Sequence, residues 1–138
     1  DLVRDHDKAI IHLKAFRNEG FEIAIDDFGT GYSSMAYLQN LPVNTLKVDK
    51  SFVLKLHQQD GDQKIVKTVI SLAHSFDMNV VAEGVETLEA LKLLADWGCE
   101  LAQGYGIARP MPACEIPEWI FRWEANNSKQ IRSFIEAK

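Results

Sequence analysis

The sequence predicts an α/β fold in which an opening helix precedes about four strand–helix units whose strands form one parallel sheet. Three observations carry this. Short apolar runs alternate with amphipathic helical segments. Glycine, proline or a carboxylate punctuates the changeovers. Polar residues collect where the apolar runs end, at Asp26-Asp27, Lys47 to Asp49, Glu83 and Gln103. Right-handed crossovers accommodate such a chain as an open doubly wound sheet or as a barrel, and in a barrel those strand ends converge on one active face.

The elements follow in order. Ala9, Ile10, Leu13 and Phe16 recur at helical spacing behind possible caps at Asp5 and Asp7, and Gly20 sits where the helix should stop. Phe21 to Asp27 reads as a buried strand, with Gly29 and Gly31 breaking the chain after it. Ser33 or Ser34 is suited to cap a short helix through Leu38, and Pro42 leads into a second strand, Thr45 to Asp49. Asp62 is the expected cap of a longer helix with Ile65, Val66, Val69, Ile70, Ala73 and Phe76 on one face. Asn79 to Ala82 makes a third strand ending at Glu83-Gly84. Thr87 then caps a helix that Gly98 stops. Leu101 to Tyr105 is a weaker fourth strand, and after Pro110 and Pro112 a last helix runs near Ile116 to Trp123 into a polar tail.

Composition bounds the function. The 138 residues are 46% hydrophobic and 25% charged, as in one globular unit. No apolar run approaches the roughly 20 residues that span a bilayer, and the charge-rich start, Asp1 to Asp7, does not resemble a signal peptide. A net charge of -5 argues against binding nucleic acid through its phosphates. Cys99 and Cys114 are read as free or buried thiols, which points to a reducing, cytoplasmic setting.

Adjacent carboxylates at a strand end repel each other unless a cation stands between them. Asp26 and Asp27, joined by Glu83 from another strand, make a partial all-oxygen cage for Mg²⁺ or Mn²⁺. Neighbouring strand residues point to opposite faces, so Asp27 joins the cage only if the strand ends or bends there, which Gly29 permits; otherwise Asp27 simply caps the loop. Lys47 and Asp49 share a strand face and are either an ordinary ion pair or groups that orient water and neutralise phosphoryl charge. Glu83 is a satisfied terminal carboxylate, a metal ligand or a general base, and Glu86 suits a helix start. The segment Gly29-Thr30-Gly31-Tyr32-Ser33-Ser34 is a phosphate cradle or a mobile loop. His6, His12, His57 and His74 show no ligand spacing, and Trp97, Trp119 and Trp123 read as core or interface.

Four segments in matching order resemble one family: Asp26-Asp-Phe-Gly-Thr-Gly-Tyr-Ser-Ser34, Leu46-Lys-Val-Asp-Lys-Ser-Phe-Val53, Val80-Val-Ala-Glu-Gly-Val-Glu-Thr87 and Gln103-Gly-Tyr105 look like successive signatures of the EAL domain. The resemblance implies the C-terminal half of a TIM-type (βα)8 barrel that hydrolyses cyclic di-GMP to linear pGpG with two Mg²⁺ or Mn²⁺ ions. It casts Asp26 as the carboxylate shared between metals and Asp27 as a second-metal ligand or holder of its water. Lys47 corresponds to the lysine that contacts the catalytic water, with Asp49 in support, Glu83 to the general base and Gln103 to a glutamine near that water. Glu86 corresponds to the anchor of the glycine-rich loop, and Phe28 to Ser34 to the segment linking metal, substrate and dimerisation.

Lys50 departs from the family, which more often has arginine there. The Glu-Ala-Leu segment that names the family, with its following asparagine and glutamate, has no counterpart before Phe21, and a complete barrel needs eight strands in about 200 residues or more. The expectation is therefore half a barrel: residues 1–125 as the C-terminal part of an EAL domain and 126–138 as a polar tail or helix end. Such a piece should expose strand edges, pair with another copy or aggregate, and hydrolyse little cyclic di-GMP alone. Expected partners are cyclic di-GMP and a second subunit in a homodimer; membrane anchorage would lie upstream. A catalytically silent cyclic di-GMP receptor or protein-interaction module is the competing reading.

Overall fold

The computed structural model describes residues 2–30 and 35–136, with side chains described over 7–30 and 38–127. Helix α1 (Leu2–Asn18) leads into strand β1 (Ala24–Phe28), followed by α2 (Met35–Asn40) and β2 (Thr45–Val48). A four-residue helix α3 (Lys50–Val53) and a short 3₁₀ turn (Leu56–Gln58) precede α4 (Asp60–Ser75) and β3 (Asn79–Glu83). Helix α5 (Leu88–Asp96), β4 (Leu101–Gln103), a second 3₁₀ turn (Ala113–Glu115) and α6 (Ile116–Glu136) complete the order.

The strands lie in chain order β1-β2-β3-β4, every neighbouring pair parallel, as expected of successive βα units. The residues of one face, Leu46, Val48, Val80 and Ala82, are fully buried and join a core with Val66, Ile70, Ala73 and Leu94. Full burial of each such aliphatic side chain contributes about 1.5–3 kcal/mol. The alternate residues are less covered: Ala24, Asn79 and Leu101 are exposed, and Thr45, Lys47, Val81 and Glu83 half-buried. The sheet is thus covered on one face, with β1 and β4 each hydrogen-bonded to a single neighbouring strand.

Three of the four helix-to-strand connections at the N-terminal edge of the sheet, those after α1, α4 and α5, close in the same way. In each, one residue in the left-handed region lets two amides reach back to helical carbonyls. After α1, Gly20 (φ +93°) donates to the Arg17 carbonyl and Phe21 to that of Phe16, while the two phenyl rings meet edge to face at 5.9 Å. After α5, Gly98 (φ +81°) donates to Ala95 and Cys99 to Leu94. After α4 the same turn is made by Asp77 (φ +57°), a position the sequence did not mark because it is not glycine.

Side chains then fasten the strand starts. Asn44 Oδ1 accepts the Ile23 N–H at 2.9 Å, and its carbonyl accepts the Asn79 N–H at 2.8 Å, tying three strands together. Glu100 accepts the Val80 N–H at 2.8 Å where β4 has not yet begun, and its other oxygen holds His74.

Several boundaries differ from expectation. Asp5 and Asp7 lie inside α1, which begins at Leu2, instead of ahead of it. Helix α4 begins at Asp60, with Gln59 in the N-cap position making no side-chain cap hydrogen bond, so Asp62 sits in the first turn, where a carboxylate still favours the helix dipole. Thr87 does cap α5, accepting the Ala90 N–H at 3.2 Å. β1 begins at Ala24 instead of Phe21, β4 stops at Gln103, and α6 continues well beyond Trp123, because no breaker interrupts the helix-forming residues that follow. Trp119 and Trp123 stack along it at 5.4 Å. The Ser33 and Ser34 cap lies outside the described residues.

Two measurements test this packing. Leu46→Ala should cost about 2–5 kcal/mol in urea unfolding, because its side chain is wholly buried. Cys99 donates its thiol to the Val80 and Leu101 carbonyls, and burial pushes it up to about 11, whereas Cys114 is exposed. Alkylation at pH 8 followed by mass spectrometry should mark Cys114 and spare Cys99 until denaturant is added, since the thiolate is the reacting form; equal rates would contradict the fold.

Candidate active site at the strand ends

Strand β1 leaves its regular register where its carboxylates sit. Ile25 pairs with Leu46 and Phe28 with Val48, so Asp26 and Asp27 together oppose the single residue Lys47. This is a bulge, and it re-aims a side chain. Asp27 takes φ +51°, a left-handed conformation that aspartate tolerates better than most residues. Asp26 Oδ1 accepts the Asp27 N–H at 2.9 Å, and the Thr30 hydroxyl and amide hold the Asp27 carbonyl. The bend anticipated from Gly29 is therefore made at Asp27 itself. Its effect is the one required: carboxylate oxygens of Asp26, Asp27 and Glu83 all lie within 4.8 Å of one another.

Lys47, from the central strand β2, supplies the local positive charge. Its ammonium stands 2.8 Å from Glu83 on β3 and 3.6 Å from Asp26 on β1. The hydrogen bond to Glu83 holds the lysine above its ordinary range, so it remains a cation and is no proton acceptor at neutral pH. Asp27 is raised, chiefly by the neighbouring charge of Asp26.

Asp49 is placed differently from the expectation that it shares a strand face with Lys47. β2 ends at Val48, and Asp49 is the N-cap of α3, accepting the Ser51 N–H at 2.9 Å. Ser51 holds its carboxylate below the usual range. Asp49 therefore stands fixed at the start of α3 instead of beside Lys47 on the strand. A strand-period reading missed this because capping wins over strand continuation at Asp49-Lys50-Ser51.

The remaining candidates fall around this cluster. Gln103 is the register partner of Glu83 on β4. Phe28 is half-buried against the core, and Gly29 follows at φ +103°. Glu86 is exposed, with its backbone against Gly106. Gly31, Tyr32, Ser33 and Ser34, and hence any contact between Glu86 and that part of the loop, lie outside the described residues. A cleft of about 350 Å³ lined by Met111, Glu115, Glu118, Trp119 and Arg122 shares no residue with the cluster.

An all-parallel βα sheet whose C-terminal strand ends gather three carboxylates and one ammonium has the layout of a barrel-type active face. The carboxylate set, drawn from two strands and open to solvent, suits a hard divalent cation. The chain belongs to the EAL domain family, whose profile matches residues 1–110. It is 40% identical over 136 residues to the cyclic di-GMP phosphodiesterase NbdA of Pseudomonas aeruginosa, covering 99% of this chain and 17% of that protein. Among solved structures it resembles the PaMucR phosphodiesterase in complex with c-di-GMP, with TM-score 0.77 and 41% identity over 82% of this chain and 46% of that one. The EAL domain of Mycobacterium smegmatis DcpA gives TM-score 0.77 and 46% identity over 81% and 50%. The chain thus spans half or less of these relatives, and its four strands are part of a TIM-type barrel.

The crowding has a measurable consequence. Because Asp27 is raised in the folded state, the native form holds more protons than the unfolded one across the upper carboxylate range, so this group favours folding at low pH and opposes it once ionised. Asp27→Asn should raise the melting temperature at pH 7 in chelator-treated buffer. That gain should shrink as pH falls from the raised native value toward the ordinary aspartate value near ~3.9, and be gone below it; a gain independent of pH would show that Asp26 exerts no strain on its neighbour.

Proposed function

We propose that this chain supplies the C-terminal half of a cyclic di-GMP phosphodiesterase centre that opens the cyclic dinucleotide to linear pGpG. The observation that carries the reading is the convergence of Asp26, Asp27 and Glu83 around the Lys47 ammonium. Asp26, Asp27 and Glu83 would hold Mg²⁺ or Mn²⁺, two ions in the complete domain. Bound divalent ions supply Lewis acidity, lowering the pKa of water and offsetting phosphoryl charge.

The chain's own groups divide the remaining work. Glu83, oriented by its 2.8 Å bond to Lys47, accepts the proton of the attacking water. Lys47 stays protonated and stabilises negative charge gathering on the phosphoryl oxygens. Asp49, fixed at the start of α3 by the Ser51 N–H, stands in support beside the cluster, and Gln103, beside Glu83, donates a hydrogen bond toward the water. By the family resemblance, the segment from Phe28 to Ser34 links metal, substrate and dimerisation, with Glu86 as the anchor of the glycine-rich loop. A subunit interface through the barrel completes the assembly.

The test joins this chain to an upstream EAL half and follows cyclic di-GMP by chromatography with Mg²⁺ or Mn²⁺. Turnover to the linear dinucleotide, abolished by chelator and reduced at least about 10²-fold by Glu83→Gln, is expected. The chain by itself should show little turnover, because half a barrel presents half a site. Tight binding without turnover in the joined domain would instead identify a receptor.

A further inference from the structure

Three loops that carry the candidate groups come after different strands, yet they lean in series on the single turn of α3. The loop after β1 meets it at Gly29: a Cβ there would stand 2.8 Å from Cε2 of Phe52. The loop after β3 meets it at Gly84, where a Cβ would lie 2.6 Å from Lys50 Cβ and 3.1 Å from Lys50 Cα. The segment after β4 rests on that second loop in turn. A Cβ on Gly104 would fall 2.1 Å from the Val85 carbonyl oxygen, and the Val85 N–H donates to Gln103 while the Gly106 N–H donates to Val85. A Cβ at under about 3 Å is not accommodated, so Gly29 seats its loop on the Phe52 ring, while Gly84 and Gly104 bring one backbone close against the next.

The support itself is firm. Asp49 caps α3, Val53 is fully buried, and Phe52 packs against the core between that anchor and Gly29. Asp26-Asp27 and Glu83 stand on strands that are not neighbours, since β2 separates them. Asp26 and Asp27 lie in the bulge between the Ile25 and Phe28 pairs, and Glu83 pairs only outward, with Gln103, so across β2 the two loops that follow share one support, α3.

We propose that α3 is a positioning element for the phosphodiesterase site, with Phe52 as the positioning residue that sets the Asp26-Asp27 bulge against Glu83. Phe52 touches no reacting atom; it acts through Gly29. The inference rests on the function proposed above for its importance to catalysis, but the mechanical coupling is separable from it and is tested without metal.

Amide hydrogen exchange by mass spectrometry on the whole chain in chelator-treated buffer, comparing wild type with Phe52→Ala, reads the coupling directly. Peptides containing Thr30, Val85 and Gly106, whose amides are hydrogen-bonded within these loops, should exchange about tenfold faster, while those of α4 and β3 keep their relative protection. Phe52→Tyr, which preserves the ring, should restore wild-type exchange. Val66→Ala, a core change in α4, serves as a control of comparable stability loss and should speed exchange without favouring these loops. Acceleration limited to α3, or spread evenly as in the control, would overturn the proposal.

A Mn²⁺ titration followed by electron paramagnetic resonance then separates this proposal from the functional one. Weaker Mn²⁺ binding in Phe52→Ala but not in Phe52→Tyr supports both. No Mn²⁺ binding that depends on Glu83 in wild type counts against the metal reading and leaves the exchange result to decide the coupling.

Discussion

One ammonium group organises the C-terminal edge of this sheet. Lys47 reaches Glu83 on one side and Asp26 on the other, so the central strand neutralises carboxylates contributed by both its neighbours. Without that charge, three carboxylates within 4.8 Å would repel one another across the strand tips. The arrangement also explains why Asp27 is the group pushed upward: the lysine's ion pairs go to Glu83 and Asp26, and Asp27 is left beside the Asp26 charge. The site is therefore assembled with one carboxyl left under strain. A cation relieves that strain better than a proton does, because it does so at neutral pH.

Stability and chemistry are placed at opposite ends of the strands. At the N-terminal edge every connection is fastened: three left-handed closures at Gly20, Asp77 and Gly98, the Asn44 bridge and the Glu100 carboxylate on Val80. At the C-terminal edge the chain instead spends residues on a bulge, exposed acids and close glycine approaches. Residues that lower stability at one edge are tolerated because the buried face and the fastenings of the other edge carry the fold. The same division accounts for the uncovered second face of the sheet. In a barrel that face lines the interior, and its alternation with the fully buried residues Leu46, Val48, Val80 and Ala82 is what the period-2 pattern encodes.

Much of this was legible in the residues. The strand cores were readable because buried β-branched runs stop abruptly at carboxylates, and Gly20, Gly98 and Thr87 announced helix ends with local chemistry. The approximate membership of the site was readable as well, since Asp26, Lys47, Glu83 and Gln103 all sit at strand ends. What was not readable depended on tertiary context. Nothing local to Asp77 says that it will adopt the conformation glycine usually takes, and nothing local to Asp27 says that the bulge falls on it instead of after it. Asp49 was misplaced because a two-residue period was extended one residue too far, into a position where an aspartate before Lys50-Ser51 starts a helix. The role of α3 was invisible for a different reason: four residues carry no periodicity, and their importance lies in what two distant glycines rest upon.

That same geometry accounts for the departure at Lys50. The resemblance leads one to expect arginine at this position, and a change of head group there would matter if the charge held the neighbouring loop. The contact that the structure shows is made by Lys50 Cα and Cβ against Gly84, atoms that lysine and arginine share, while the residue as a whole is exposed. Packing at the base of the side chain, not recognition by its tip, is what the loop after β3 requires. The substitution therefore leaves the spacing of Glu83 untouched, and it is Gly84, not Lys50, that has no freedom to vary: its φ of +80° and the 2.6 Å approach both exclude a side chain.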